Sequence, residues 1–343
     1  MAFDDTAVVL TQVGGPDDLA SVRPYLKSFF SDPDLIRLPR WAKPLQGAFA
    51  WALSSARAPY SRRLYASIGG GSPIRGQTEL QAWALAWELR KRGFPMPVMV
   101  SMRHSQPNSL AAVRRAQALG VQRLVVMGLF PQYSFSTTLS GLVGIKNALQ
   151  TLRYDPELLI VDEYCDDPKY IAAVLELTRR TLRTFQHPAD QVHLIFSAHG
   201  LPVSYIEAGD PYYSHVQRSV KAVSARLQHP GPVHISFQSR LGPQKWLEPA
   251  SDKLIEALGK SGAKAVCIVP IAFVSEHVET LNEIDIQYAT IAKSAGIEEF
   301  DRVCTVKSHP LFVQALADQV ERALGVQRQS PAAQALTAHG RGG

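Results

Sequence analysis

Apolar residues in this chain gather into runs of two lengths. Short runs rich in β-branched residues fall at 8–13, 97–102, 123–130, 158–164, 192–198, 233–239, 264–273 and 302–307. Longer stretches at 109–120, 170–185 and 247–262 space their apolar residues by three and four, as a helix with one buried face does. The short runs are nearly continuous rather than alternating, so they predict strands buried on both faces. Parallel sheets covered by helices have that property. The expected fold class is α/β, with parallel sheets.

The pattern also repeats. VVLTQVGGP (8–16) and LIFSAHGLP (194–202) align without gaps, each running from strand to glycine to proline. LVVMGLFPQYSFSTT (124–138) matches VCIVPIAFVSEHVET (266–280) in length and apolar pattern. The second strand of each half ends near a proline, read here as Pro107 and Pro243. Pro16 and Pro107 are 91 apart and Pro202 and Pro243 only 41, so the first half carries an insertion of 50. The reading is an internal duplication: a first doubly wound domain over 4–166, with extra chain around 37–65, and a second over 167–326. The last helix is expected to pack back on the first domain. The segment 327–343, QRQSPAAQALTAHGRGG, reads as a disordered tail.

Ligands of open α/β sheets lie beyond the carboxyl ends of the strands. Those ends collect the polar residues of this chain. His199 closes one strand and Arg103 and His104 another; Gln238–Arg240 and Ser275–Glu279 follow two more. The natural site is a cleft between the halves. On a regular helix over 275–288, Glu276, Glu279 and Glu283 fall in one narrow sector, with Asp285 at least about 120° away. Such a row is either a solvated face or a route for a cation or protons. His277 and Glu279, about 200° apart on the same helix, would not address one metal together.

Composition narrows the classes. The chain of 343 residues is 46% apolar and 19% charged, and no apolar run is long enough to span a bilayer. The N-terminus, MAFDDTAVVL, has acids where a secretory signal carries basic residues, which points to a cytoplasmic protein. Cys165, Cys267 and Cys304 lie too far apart for a disulfide framework or a zinc motif. A net charge of +6 suits an anionic partner, but no basic block or nucleic-acid motif is present. IGGGSPI (68–74) follows no strand and lacks GxGxxG spacing; GxxxxGK[ST], HExxH and GxSxG are absent. Over 40–65, Trp41, Leu45, Phe49, Ala52 and Leu53 keep a helical period among Lys43, Arg57, Arg62 and Arg63. That segment is either a helix packed on the core or one resting at a membrane interface.

Several stretches together resemble the ferrochelatases, which insert ferrous iron into a porphyrin. They are VGGPDDLASVRPYL, FSDPDLIRLP, YASIGGGSPI, FPQYSFSTT, FSAHGLPVSYIEAGDPY, FQSRLGPQKWLEP and VPIAFVSEHVETLNEIDIQY, in family order from about residue 8 to 325. The resemblance implies two facing Rossmann-like domains and a porphyrin in the cleft. It implies His199 and Glu279 as catalytic and metal-site residues, with Glu276 and Glu283 extending a route for protons or metal. Val13, Arg103, His104, Phe130, Ser197, Trp246 and Phe273 are the substrate-binding positions it suggests. Residues 41–53 become a hydrophobic lip, and 40–53 a peripheral membrane contact. His104, Phe130 and Asn282 depart from the aromatic residues common at their positions. Val13 stands where coproporphyrin-type members tend to have tyrosine, which favours protoporphyrin IX. Three cysteines, none in the tail, leave no place for a four-cysteine iron–sulfur cluster. Fe²⁺ is then a substrate, with no permanent cofactor and no nucleic-acid partner, and the enzyme is expected to be a monomer.

The chemistry fits these residue types. A free-base porphyrin must lose two N–H protons, and a neutral imidazole can accept one at cellular pH. Imidazole and carboxylate also both suit Fe²⁺, so His199 is base or metal donor. Arg103 is a propionate partner or a structural ion pair. The competing functions are a related chelatase for another metal or tetrapyrrole, such as coproporphyrin, and a non-catalytic porphyrin carrier. If the halves face each other about a pseudo-twofold axis, Val13 and His199 meet a flat ligand from opposite sides.

Overall fold

The computed structural model describes residues 5–32, 44–240, 242 and 244–326. Its frame is a pair of four-stranded, wholly parallel sheets. β1 (Thr6–Gln12) lies between β2 (Val98–Met102) and β3 (Arg123–Gly128), with β4 (Glu157–Val161) outside β3. β5 (Val192–His199) lies in the same way between β6 (Val233–Gln238) and β7 (Ala265–Pro270), with β8 (Glu299–Arg302) outside β7. The orders β2-β1-β3-β4 and β6-β5-β7-β8 are one topology used twice. β1 and β7 are buried along their whole length, and β5 at every position but His193 and His199, as the continuous apolar runs require.

The register extends the correspondence to single residues. Thr11 pairs with Ser101, and Ser197 with Ser236. Ser101 Oγ meets Ser109 Oγ at 3.0 Å, and Ser236 Oγ meets Ser251 Oγ at 2.8 Å. After β2 the chain returns so that Met102 N–H donates to the Pro107 carbonyl at 2.7 Å; after β6, Phe237 N–H donates to the Pro249 carbonyl at 2.9 Å. The counterpart of Pro107 is therefore Pro249, not Pro243. Pro249 follows Pro202 by 47 residues, which reduces the insertion in the first half from 50 to 44. Proline spacing alone cannot choose between two nearby prolines; the backbone hydrogen bonds do.

One strand also moves. The run at 302–307 is not a strand, because β8 is Glu299–Arg302, paired with Ala265–Ile268. Beyond it Val303 and Val306 turn into the core, and Thr305 N–H donates to Glu276 Oε1 at 3.0 Å. Alternating burial in a loop imitates a strand in the sequence.

The extra chain of the first half includes the helices Gln46–Ser67 and Ile74–Lys91. Gln46–Ser67 buries Ala50, Ser54, Ala58, Ser61 and Tyr65, a face of mostly small residues. Leu45, Phe49 and Trp51 are left exposed. The large apolar residues of this segment thus do not serve the core, while Trp41 lies outside the described residues. The final helix, Pro310–Ala323, packs on Ile74–Lys91 and Pro168–Leu182. Arg92 joins them by ion pairs to Glu88, Asp318 and Glu321 at 2.7, 2.7 and 3.1 Å. One apolar cluster runs through both halves, from Leu10 and Met127 to Phe196, Val269 and Phe312.

Candidate active site

His199 is the last residue of β5, and the turn after it is fixed by its neighbours. Gly200 N–H donates to the Gln238 carbonyl at 2.7 Å. A β-carbon on Gly200 would stand 2.7 Å from that same oxygen, so only glycine allows this approach. Leu247 N–H then donates to the Leu201 carbonyl, and Val203 N–H to that of Lys245, both at 2.9 Å. The imidazole is presented from a strand end tied down on both sides.

The opposing carboxylate comes from the segment after β7. The chain turns through Ile271–Ser275 and enters a π-helix, Glu279–Tyr288, with Glu279 as its first residue. Such wide turns recur at functional sites. His199 Nδ1 lies 3.1 Å from Glu279 Oε2, and His277 Nε2 lies 3.1 Å from the same oxygen. His277 precedes the π-helix, so its ring is free of the 200° offset that a regular helix over 275–288 would impose. The sequence reading set His277 apart from Glu279; the structure brings them together. The Phe273 ring packs edge-on at 4.5 Å from His277 and 6.4 Å from His199.

Glu283 lies one turn beyond Glu279 and belongs to the same site. Ser239 N–H donates to its Oε1 at 2.9 Å, Tyr288 Oη–H to Oε1 at 2.6 Å, and Ser239 Oγ–H to Oε2 at 2.5 Å. Gln238 Nε2 donates to the Glu279 carbonyl at 3.2 Å and to Glu283 Oε2 at 3.4 Å. The sequence placed Gln238 and Ser239 at a strand end without giving them a role, and did not count Tyr288 as a partner in the site. Their signal was the strand end at 238–240, whose role becomes visible only through pairing with β5.

The proton affinities in this row diverge. Burial pulls the His199 pKa down, but the charge and hydrogen bond of Glu279, with Glu283 behind it, raise it above the ordinary imidazole value. Burial raises the Glu279 pKa, yet His199 and His277 outweigh it and hold the carboxylate far below its usual range. Glu283 moves the other way: burial and the negative charge of Glu279 raise it, against Ser239 and Tyr288. One carboxylate held below its ordinary range beside another raised above it is a pairing suited to proton handling.

The other expected site residues have surroundings of their own. Glu276 lies ahead of the helix, buried, with Arg302 at 3.0 Å and Lys307 at 3.7 Å. It therefore does not share a helical sector with Glu279 and Glu283. Asp285 points to Arg302 as well, at 2.6 and 2.9 Å. Arg103 is ion-paired with Asp32 Oδ2 at 2.7 Å and donates to Ser140 Oγ at 2.8 Å. His104 is buried against Phe29, Ser28 and Asp32; burial brings its pKa down to about 4, aided by Arg103 and opposed by Asp32. Ser197 is fully buried and donates at 2.8 Å to Oε1 of Gln238, the residue that in turn reaches Glu279 and Glu283. Val13, Phe130 and Trp246 are half-buried. Trp246 pairs with Pro202 through an isolated bridge, and its Nε1 is buried without a hydrogen-bond acceptor.

Two duplicated parallel sheets, with an imidazole and a carboxylate meeting where their strands end, define a chelatase-type protein. Solved structures share this fold: SirB from Bacillus subtilis with Fe³⁺ has a TM-score of 0.51 at 14% identity, over 93% of this chain and 95% of that one. CbiX, described as the terminal enzyme of sirohaem biosynthesis in denitrifying bacteria, gives 0.50 at 15% identity, over 93% and 99%. The family model described as Ferrochelatase matches residues 5–324. A relative named ferrochelatase from Synechococcus sp. (strain JA-3-3Ab) is 44% identical over 317 residues, 91% of either chain. Another, from Nostoc sp. (strain PCC 7120), is 42% identical over 324 residues, 92% of this chain and 82% of that one. The chain belongs to the ferrochelatase family.

Proposed function

We propose that this protein inserts Fe²⁺ into free-base protoporphyrin IX, with His199 and Glu279 as catalytic residues and Val13 on the opposite face of the ring. The observation that carries the reading is the 3.1 Å contact between His199 Nδ1 and Glu279 Oε2. Glu279, ionised, holds the proton of His199 on Nδ1, so Nε2 presents a lone pair outward. Nε2 takes a pyrrole proton as the metal approaches, and Glu279 stabilises the imidazolium formed. Two protons leave for each Fe²⁺ inserted, and no electron is transferred. Glu283, with its raised pKa, stands next in line to receive a proton from the Glu279 side. Iron and porphyrin are both substrates, and this scheme needs no resident cofactor.

Val13 supports the choice of protoporphyrin IX, because coproporphyrin-type members of the family tend to have tyrosine there. It corresponds to His199 in the duplicated halves, but its isopropyl group neither ligates metal nor takes a proton. A single base on one face avoids competition for the ion. Among the described residues, no helix is long and apolar enough to cross a membrane. The exposed Leu45, Phe49 and Trp51 support a peripheral contact with the lipid surface that a porphyrin would leave or enter. The enzyme acts as a monomer in this scheme, because both halves of the cleft come from one chain.

The test mixes the protein anaerobically with Fe²⁺ and, in parallel, protoporphyrin IX or coproporphyrin. Insertion replaces the four-band free-base spectrum by the metalloporphyrin spectrum. The reading expects a higher kcat/KM with protoporphyrin IX, and a Val13→Tyr variant that shifts the ratio towards coproporphyrin. A persistent free-base spectrum with either porphyrin would make the protein a carrier.

A further inference from the structure

Cys165 follows β4 and is fully buried, with Glu163, Asp166 and Arg218 near enough to act on its thiol. Glu163 lies two residues before it, and His215 reaches it from the helix Tyr212–Leu227 of the other half. One donor atom from each of Glu163, Cys165 and His215 lies within 4.8 Å of the other two. Among the described residues no other group of three histidine, cysteine or acidic side chains is gathered so closely. The carboxylate is already positioned. Its Oε2 accepts the Cys165 N–H at 2.9 Å, and its Oε1 accepts from Arg218 at 3.1 Å. Asp166 holds that arginine from behind at 2.8–3.0 Å. Supporting bonds of this kind are what orient metal ligands.

We propose that Glu163, Cys165 and His215 form a second metal site, separate from the insertion centre, for a zinc-type divalent ion. One sulfur, one nitrogen and one oxygen suit Zn²⁺ or Co²⁺, and three protein ligands leave a fourth tetrahedral position for water. A thiolate in the set favours these ions over the Fe²⁺ that the enzyme consumes. Binding replaces the thiol proton, which leaves to solvent. A bound ion balances the thiolate and Glu163, leaving Arg218 to Asp166. His215 Nδ1 accepts the Tyr133 N–H at 3.2 Å.

The consequence is mechanical. Glu163 and Cys165 belong to the first half and His215 to the second, so the ion crosses the seam between them. Neighbouring bonds run along the same seam: Ser219 Oγ donates to the Cys165 carbonyl at 2.6 Å, and Gln132 Nε2 donates to Ser219 Oγ at 2.8 Å and the Ile271 carbonyl at 3.2 Å. Occupancy therefore pins the two halves at their seam.

The test uses the full chain, stripped with a chelator and titrated with Co²⁺. A thiolate ligand gives a near-ultraviolet sulfur-to-cobalt charge-transfer band, which His199 and Glu279 cannot produce because neither carries sulfur. The band is expected to saturate at one Co²⁺ per chain and to persist in His199→Ala and Cys304→Ser. It is expected to vanish in Cys165→Ser with unchanged circular dichroism, and to shift or weaken in His215→Ala, a change at a half-buried position. Absence of the band, its survival in Cys165→Ser, its loss in Cys304→Ser, or an unaltered band in His215→Ala would each overturn the site.

Discussion

His199 Nδ1 and Glu279 Oε2 face each other at 3.1 Å across the join between the end of β5 and the start of a π-helix. Each comes from a different βα unit of the second half, and each changes the other's proton affinity. The histidine becomes more basic and the glutamate stays ionised.

Removing the charge of Glu279 should therefore disable the pair while keeping its shape. Glu279→Gln is expected to lower kcat for iron insertion by roughly 10²–10⁴-fold, the usual worth of a positioned acid–base group. Asp285→Asn, six residues on, should change kcat little, because Asp285 is turned to Arg302. Steady-state kinetics of both variants check this; equal losses would mean that the π-helix does not separate the two roles.

The pH profile should carry the same signature. His199 must be neutral to take a proton, and its pKa is raised above the ordinary 6.5. The acid limb of kcat/KM should therefore lie above that value and move down in Glu279→Gln. Stability follows the linkage. The ionised His199 stabilises the fold below its unfolded pKa, and that contribution fades as pH rises through the raised folded value. Glu279 stabilises above the ordinary carboxylate range and loses its contribution as pH falls towards its depressed pKa. Urea midpoints measured across pH for wild type and Glu279→Gln would show both slopes.

Exposed apolar residues on the helix Gln46–Ser67 predict lipid contact. Phe49 and Trp51 are 40% and 55% exposed, while the face of that helix towards the protein is built mostly of small residues. Co-sedimentation with anionic liposomes should be salt-sensitive and should weaken in a Phe49→Ser, Trp51→Ser variant. Equal sedimentation of variant and wild type would place the contact elsewhere.

The sequence showed the duplication because buried parallel strands leave continuous apolar runs, and because VVLTQVGGP and LIFSAHGLP align with Val13 opposite His199. It misplaced β8, since Val303 and Val306 alternate into the core from a loop. It paired Pro107 with Pro243 because nothing but backbone hydrogen bonding distinguishes Pro243 from Pro249. At the site, Glu279 and Glu283 are legible as residues four apart on one helix. Glu276 and His277 are not, because a regular helix from residue 275 would place them differently from the irregular lead-in and π-helix that the structure has. The ion pairs that claim Glu276, Asp285 and Arg103 come from residues distant in the chain, and no local pattern announces them.

The account rests most directly on His199, and the decisive measurement is anaerobic Fe²⁺ insertion by His199→Ala. The variant should fold, judged by circular dichroism, and should bind free-base porphyrin, judged by tryptophan fluorescence quenching. Its free-base spectrum should then persist in the presence of Fe²⁺. Turnover near the wild-type rate in that folded, porphyrin-binding variant would contradict the assignment of proton acceptance to His199.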